Sequence, residues 1–119
     1  MPILSLSEEN FDTTIQNNAV VVVDFWAKWC GPCVAFSPIF EEVSVDHPDV
    51  LFAKVNIEEA PALAEDFNVQ SIPFIMIFRG EFAVFAQAGV QTRRSLGALV
   101  KEAKEIDLAA LRQSLSQDK

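Results

Sequence analysis

The chain has 119 residues, of which 50% are hydrophobic, and its 17 acidic and 9 basic residues give a net charge of −8. This length and composition fit one globular domain with a substantial core and exclude a disordered chain. The negative charge argues against general binding to nucleic acid or to anionic membranes, because phosphate groups would be repelled.

The first half of the chain is predicted to alternate strands with helices. The predicted elements are a short edge strand over 3–6, a helix over 8–16, a strand over 20–26 and a helix from 30 or 31 to 45. Ser7 is expected to cap the first helix, and Pro38 should kink the second. The strand is apolar apart from Asp24, which is typical of a parallel strand covered on both faces.

The second half is predicted to end in a hairpin and a helix. The elements are a strand over 50–57, a short helix over 58–67, strands over 74–78 and 82–87, and a helix that Thr92 caps. Only three residues, 79–81, separate the last two strands, so these should be antiparallel neighbours. This order predicts an α/β fold in which helices flank a central mixed sheet.

Two apolar stripes near the C-terminus lie out of phase by roughly 100° around a helix. The first contains Leu96, Leu99, Val100 and Ala103, and the second contains Leu108, Leu111 and Leu115. Either the chain breaks near 105–107, with Asp107 capping an extra helix that folds back, or one long helix turns its second stripe towards a partner. We favour the first alternative and expect a domain over 1–105 with a C-terminal helical extension over 106–119.

Both cysteines of the chain lie in one motif, Trp29-Cys30-Gly31-Pro32-Cys33, directly after the predicted strand. Two thiols at this spacing can close a disulfide and reopen it. Gly-Pro suits the first turn of a helix, and this places Cys30 where the helix dipole favours a thiolate. Cys30 should therefore attack a target disulfide, and Cys33 should resolve the mixed disulfide.

Three other interpretations of the cysteine pair are weaker. A structural disulfide that closes so short a loop would constrain the unfolded chain very little. A zinc site would need about two more Cys or His ligands, and the chain offers only His47. Two ordinary buried cysteines would leave Trp29 and the intervening Gly-Pro unexplained. Dithiol–disulfide exchange is therefore the favoured chemistry.

The stretch VVVDFWAKWCGPC over 21–33 closely resembles the thioredoxin family, and the resemblance covers roughly 5–105. Further matching positions are Pro38, Lys54-Val55-Asn56, Ser71-Ile72-Pro73 and Gly89. The resemblance implies a thioredoxin fold and a protein-disulfide reductase active in electron transport and cell redox homeostasis. Its disulfide-containing protein substrates would be reduced with electrons from NADPH through thioredoxin reductase.

We expect a cytoplasmic protein, because the N-terminus shows no secretory signal. We further expect that it acts as a monomer. We also expect no bound cofactor or metal, since the chain has no Gly-rich dinucleotide fingerprint.

The resemblance also implies roles for residues outside the motif. Pro73 should follow a cis peptide bond and lie against the disulfide, and the Ile72 backbone should pair with an extended substrate segment. The implied apolar docking surface consists of Trp29, Gly31, Pro32, Ile72 and Gly89.

Asp24 is either exposed at a strand end or buried, and burial would raise the pKa of its carboxyl group. The resemblance implies that Asp24 is buried and takes the proton of Cys33 through water, with Lys54 nearby. From the residues alone, Lys54 could equally be an ordinary charge at a strand edge.

Two positions depart from the family pattern. Val34 stands where a basic residue is common, and Phe74 stands where a threonine is common, which should make the docking surface more apolar. We expect both to change partner preference more than reaction class. The alternatives are a disulfide oxidase or isomerase, and a binding or chaperone module that uses Phe74 and the apolar tail.

Overall fold

A five-stranded mixed sheet organises the computed structural model, which describes residues 3–117. The strands are β1 (Leu4–Ser5), β2 (Val20–Trp26), β3 (Leu51–Asn56), β4 (Phe74–Arg79) and β5 (Phe82–Ala88). Their spatial order is β1-β3-β2-β4-β5. The pairs β1–β3 and β2–β3 are parallel, whereas β2–β4 and β4–β5 are antiparallel. The predicted mixed sheet and its final hairpin are confirmed.

Helices cover both faces of this sheet. They are α1 (Phe11–Gln16), α2 (Gly31–Asp46), α3 (Pro61–Asp66), α4 (Arg93–Glu105) and α5 (Leu108–Gln117). Side chains of α1 and α3 pack on one face and form the first core layer, and those of α2 and α4 pack on the other and form the second. Within residues 3–117, no helix combines the length and the apolar character needed to cross a membrane.

Strand β2 lies at the centre of the sheet and contributes to both core layers. Val21, Val23 and Phe25 point into the first layer, and Val22 points into the second. This alternation follows from the two-residue period of a strand. All side chains from Val20 to Phe25 are buried, as predicted for a strand covered on both faces. Asp24 has the same parity as Val22 and therefore faces α2 and α4.

The first helix begins later than predicted. Residues 8–10 form a turn, and Asn10 rather than Ser7 precedes the helix. The side chain of Asn10 accepts a hydrogen bond from the backbone N–H of Ser7 at 2.8 Å, which stabilises the turn. The prediction that Ser7 caps this helix was wrong, because the side chain of Asn10 binds the Ser7 backbone in a local turn and the helix begins only after Asn10.

The third helix is also shorter than predicted, for a related reason. The side chain of Asn56 accepts a hydrogen bond from the backbone N–H of Glu58 at 2.9 Å and holds a turn there. The helix starts at Pro61. Proline has no backbone N–H, and this costs nothing at the first helical position because an N–H there would have no intrahelical partner.

The predicted cap of α4 is confirmed, because the side chain of Thr92 accepts a hydrogen bond at the start of that helix. Helix α2 continues through Pro38, and the predicted kink there remains a prediction.

The chain breaks after α4, and the C-terminal helix folds back onto the hairpin. Asp107 accepts a hydrogen bond from the backbone N–H of Ala110 at 3.1 Å, which confirms the predicted cap. Arg112 forms two hydrogen bonds with Glu81, at 2.7 and 2.9 Å, and Leu108 lies over Gly80 in the hairpin turn. The proposed domain division remains a prediction, and its residues 1, 2, 118 and 119 lie outside the described residues.

Replacing Gly80 with Ala should lower the free energy of unfolding by about 1–2 kcal/mol. Gly80 has a φ of +60°, and an added Cβ would lie 2.7 Å from Cδ2 of Leu108. Both the backbone and the side chain of α5 would then have to adjust. Urea unfolding of the variant and the wild type measures the difference.

Gly97→Ala is the matched control. Gly97 lies inside α4, and nothing lies within 4 Å of a Cβ added there. The higher helix propensity of alanine should raise the free energy of unfolding by about 0.5–1 kcal/mol. Equal effects of the same sign in the two variants would contradict the special position of Gly80 under α5.

Candidate functional site

Cys30 and Cys33 form a disulfide at the start of α2, with their Cα atoms 5.2 Å apart. Cys30 is the N-cap residue, and its Sγ accepts a hydrogen bond from the backbone N–H of Cys33 at 3.2 Å. Such N–H groups at a helix start otherwise lack partners, and they stabilise negative charge. The arrangement therefore favours a thiolate on Cys30 once the disulfide is reduced.

The segment Ile72-Pro73 lies across the disulfide. Its peptide bond is cis, as expected, and Pro73 is buried. The carbonyl oxygen of Ile72 lies 3.7 Å from Sγ of Cys30. This segment enters β4 directly, so the central sheet fixes its position relative to the cysteines.

An open groove of about 500 Å³ runs beside Cys30. Its lining residues are Trp29, Cys30, Gly31, Pro32, Gln70, Ser71 and Ile72. The indole of Trp29 is 68% exposed, although large aromatic side chains are usually well buried. The groove therefore brings together four of the five predicted docking residues and offers a partner an apolar surface next to the reactive sulfur.

Gly89, the fifth predicted docking residue, supports the proline segment and is absent from the groove lining. Its backbone N–H donates to the carbonyl of Pro73 at 2.8 Å. Its φ of +108° lies in a region that favours glycine.

Asp24 is completely buried, with 0% of its surface exposed. Among the described residues, neither of its carboxylate oxygens has a hydrogen-bond partner. Burial raises the pKa of Asp24 to about 7, and the positive charge of Lys54 opposes that rise. The carboxyl group can therefore take up and release a proton near neutral pH.

Lys54 lies opposite Asp24 in the register between β2 and β3. Its Nζ donates a hydrogen bond to Oγ of Ser37 at 2.8 Å and lies 5.4 Å from the ring centroid of Trp26. Ser37 follows Cys33 by four residues on α2, and such a pair shares one face of a helix. The structure thus brings the buried acid and the ammonium group to the face of the sheet that α2 covers, and α2 also carries Cys33.

Three residues of the site were missed in the sequence. Gln70 and Ser71 line the groove, and their position directly before Ile72 was the available signal. Ser37 binds Lys54, and its helical spacing from Cys33 pointed to the same face. Small polar residues are common on helices and loops, so these signals were weak without a known three-dimensional position.

The two departures from the family pattern occupy different environments. Val34 is 58% exposed on the first turn of α2. The ring of Phe74 is partly buried against the first core layer, with its centroid 6.1 Å from that of Phe25. Phe74 does not line the groove, and its effect on the docking surface and on partner preference stays a prediction.

Residues 2–102 match the thioredoxin family model. The chain belongs to the thioredoxin family. It is 40% identical over 114 residues to a putative thioredoxin 2 of Streptomyces coelicolor, covering 96% of this chain and 85% of that protein. A thioredoxin of Alicyclobacillus acidocaldarius is 40% identical over 96 residues, covering 80% of this chain and 91% of the relative. A solved mutant thioredoxin from Halobacterium salinarum superposes with a TM-score of 0.80 at 30% identity, covering 87% and 92% of the two chains.

The family, the fold and the paired cysteines together establish the class of activity. This thioredoxin is a thiol–disulfide oxidoreductase, and Cys30–Cys33 is its redox-active disulfide. In residues 3–117, no group of three or more His, Cys, Asp and Glu side chains is placed to hold a metal ion.

Replacing Asp24 with Asn should raise stability more at pH 8 than at pH 4. Folding raises the pKa of Asp24 from 3.8 to about 7, so the folded protein holds this proton more tightly than the unfolded chain does. The free energy of unfolding of the wild type therefore falls as the pH rises from 3.8 to about 7, by on the order of 4 kcal/mol in total. The Asn variant lacks that loss.

Urea unfolding of both oxidised proteins between pH 4 and pH 8 measures this effect. The difference in free energy of unfolding between variant and wild type should grow across the interval. A difference that stays constant with pH would show that Asp24 titrates alike in the folded and unfolded chains.

Proposed function

We propose that this thioredoxin is a protein-disulfide reductase that works as a reusable electron carrier. One observation carries the proposal: the Cys30 sulfur lies at a helix N-terminus beside an open groove and next to the backbone carbonyl of Ile72. A nucleophilic sulfur and an exposed backbone edge are the two features that attack on an extended protein segment requires.

The first step forms a mixed disulfide. The target segment lies along the groove and pairs with the backbone of Ile72, while Trp29, Gly31 and Pro32 contact its side chains. The Cys30 thiolate attacks one sulfur of the target disulfide, a Cys30–target bond forms, and the target's own S–S bond breaks. The leaving sulfur departs as a thiolate and takes a proton from solvent.

The second step releases the reduced target. Asp24 takes the proton of the Cys33 thiol through water, and the new thiolate attacks Sγ of Cys30. The Cys30–Cys33 bond forms as the Cys30–target bond breaks, and the second target sulfur leaves and is protonated. Two electrons have passed to the target, and the thioredoxin is left oxidised.

The oxidised protein must then be reduced again. We assign this step to thioredoxin reductase, with NADPH as the source of electrons, because family membership favours that partner. The cycle would run in the cytoplasm, where reduced thiols prevail, and would serve electron transport and cell redox homeostasis. The protein would act as a monomer and bind no cofactor itself. Its net charge of −8 disfavours nucleic acids and anionic membranes as partners.

The structure weakens the alternative of a binding or chaperone module. That alternative needed free apolar surface from Phe74 and from the C-terminal stripe. Phe74 packs on the first core layer, and Leu108 packs over Gly80. Both contacts remove part of the surface that such a module would use, and of the C-terminal stripe Leu115 stays 42% exposed.

A Cys33→Ser variant should trap targets as mixed disulfides on Cys30. It retains the attacking thiol and lacks the resolving one, so the first step proceeds and the second cannot. Non-reducing electrophoresis of a cell extract, followed by release with dithiothreitol, identifies the trapped proteins. Cys30→Ser is the matched control and should trap almost none. More trapping by Cys30→Ser than by Cys33→Ser would reverse the assigned roles.

The same trap tests the contribution of Val34 to partner choice. A Cys33→Ser/Val34→Lys variant should exchange part of the trapped set for more acidic proteins, because an exposed apolar side chain becomes a cation. An unchanged set of trapped proteins would show that Val34 does not contribute to partner choice.

A further inference from the structure

Lys54 is the charged group that acts on Asp24 from the neighbouring strand. The other elements packed on this face contribute uncharged groups: Ile75 opposes Asp24 on β4, and Phe36, Phe40, Leu96 and Val100 come from α2 and α4. Charged side chains on the outer faces of α2 and α4, such as Glu41 and Lys101, are exposed, and the Cys33 thiol of the reduced protein is a further titratable group at the start of α2. The distance between the Lys54 ammonium and the Asp24 carboxylate therefore has a large effect on how readily Asp24 binds a proton.

The Lys54 ammonium does not contact the Asp24 carboxylate, although the position of Lys54 in the sheet would favour such a contact. The two residues lie directly opposite each other on parallel strands. No ion pair within 4.0 Å joins them in the described part of the chain, and both Asp24 oxygens there are without a hydrogen-bond partner. The ammonium group instead donates to Oγ of Ser37, at 2.8 Å, on the helix that carries Cys33.

We propose that Ser37 is a positioning residue of the exchange reaction, because its hydroxyl holds the Lys54 ammonium at α2 and keeps it from closing on the Asp24 carboxylate. The inference rests on the proposed role of Asp24 as proton acceptor. A carboxylate in direct contact with an ammonium group would be a weaker base and would accept the Cys33 proton less readily. Ser37 therefore supports release of the target without touching the reacting sulfur atoms.

The proton transfer that Ser37 supports takes place in the second step of the cycle, in which Cys33 releases the target. The proton moves from Sγ of Cys33 to the Asp24 carboxylate through water. The electron pair left on Cys33 forms the bond to Cys30, and the pair of the breaking bond leaves with the target sulfur. The Asp24 proton later returns to solvent, so that the carboxylate is ready for the next turnover.

The test replaces Ser37 with Ala and measures two quantities. The titration midpoint of Asp24 is read from the ¹³C chemical shift of its carboxyl carbon in the oxidised protein. The rate of single-turnover reduction of a disulfide peptide is measured across pH in the reduced protein. Without the Ser37 acceptor, Lys54 should turn towards Asp24 and move the midpoint down by about one pH unit. The low-pH limb of the rate profile should move with it, and the plateau rate should fall.

Two further variants separate positioning from a structural effect. Ser44→Ala is the matched control, because Ser44 is a second serine on α2 whose hydroxyl bonds elsewhere: it is buried and donates to the backbone carbonyl of Glu41 at 2.6 Å. It should leave the Asp24 midpoint unchanged. Lys54→Met removes the charge, and in that background Ser37→Ala should produce no further shift of the midpoint.

The outcomes separate the two claims. A shift of both quantities that disappears in the Lys54→Met background supports the role of Ser37. An unchanged midpoint in Ser37→Ala, or an equal shift without Lys54, would overturn it while leaving disulfide exchange intact. A shifted midpoint with an unchanged rate profile would overturn Asp24 as the proton acceptor, and with it the part of Ser37 in the reaction.

Discussion

Burial of strand β2 on both faces is the constraint on which the rest of the structure depends. Its apolar side chains supply both core layers, and full burial of one such side chain stabilises a fold by about 1.5–3 kcal/mol. These contacts offset the cost of enclosing Asp24 among them. The same strand ends at Trp26, where the chain turns and places Cys30 at the start of α2. Core packing and the reactive sulfur are thus positioned by one element.

The site is assembled from segments that meet at this end of the sheet. α2 provides the cysteines, the segment before β4 provides Ile72 and Pro73, and β3 provides Lys54. Each segment contributes a different feature: the helix start favours a thiolate, the proline segment places the Ile72 carbonyl 3.7 Å from Sγ of Cys30, and the strand supplies a positive charge that acts on Asp24. The C-terminal helix α5 packs on the hairpin turn through Leu108 and Arg112 and stays outside the groove.

Much of this arrangement could be predicted from the sequence, because it follows local rules. The apolar run of β2, which only Asp24 interrupts, the Gly-Pro helix start and the phase change near Asp107 each have a short-range physical cause. The prediction for Ser7 failed because Asn10, three residues later, closes a competing turn. The direction of the Phe74 ring and the bond between Lys54 and Ser37 depend on elements distant in the chain, and no local pattern determines them.

We propose above all that the helix start makes Cys30 the attacking thiol and leaves Cys33 to resolve the mixed disulfide. The most direct measurement reduces the protein fully, treats it at neutral pH with less than one equivalent of iodoacetamide, and maps the labelled peptide. The N-cap position and the hydrogen bond from the Cys33 N–H to Cys30 Sγ predict that the label falls almost entirely on Cys30. Labelling of Cys33 first, or of both cysteines equally, would show that the helix start does not make Cys30 the attacking thiol.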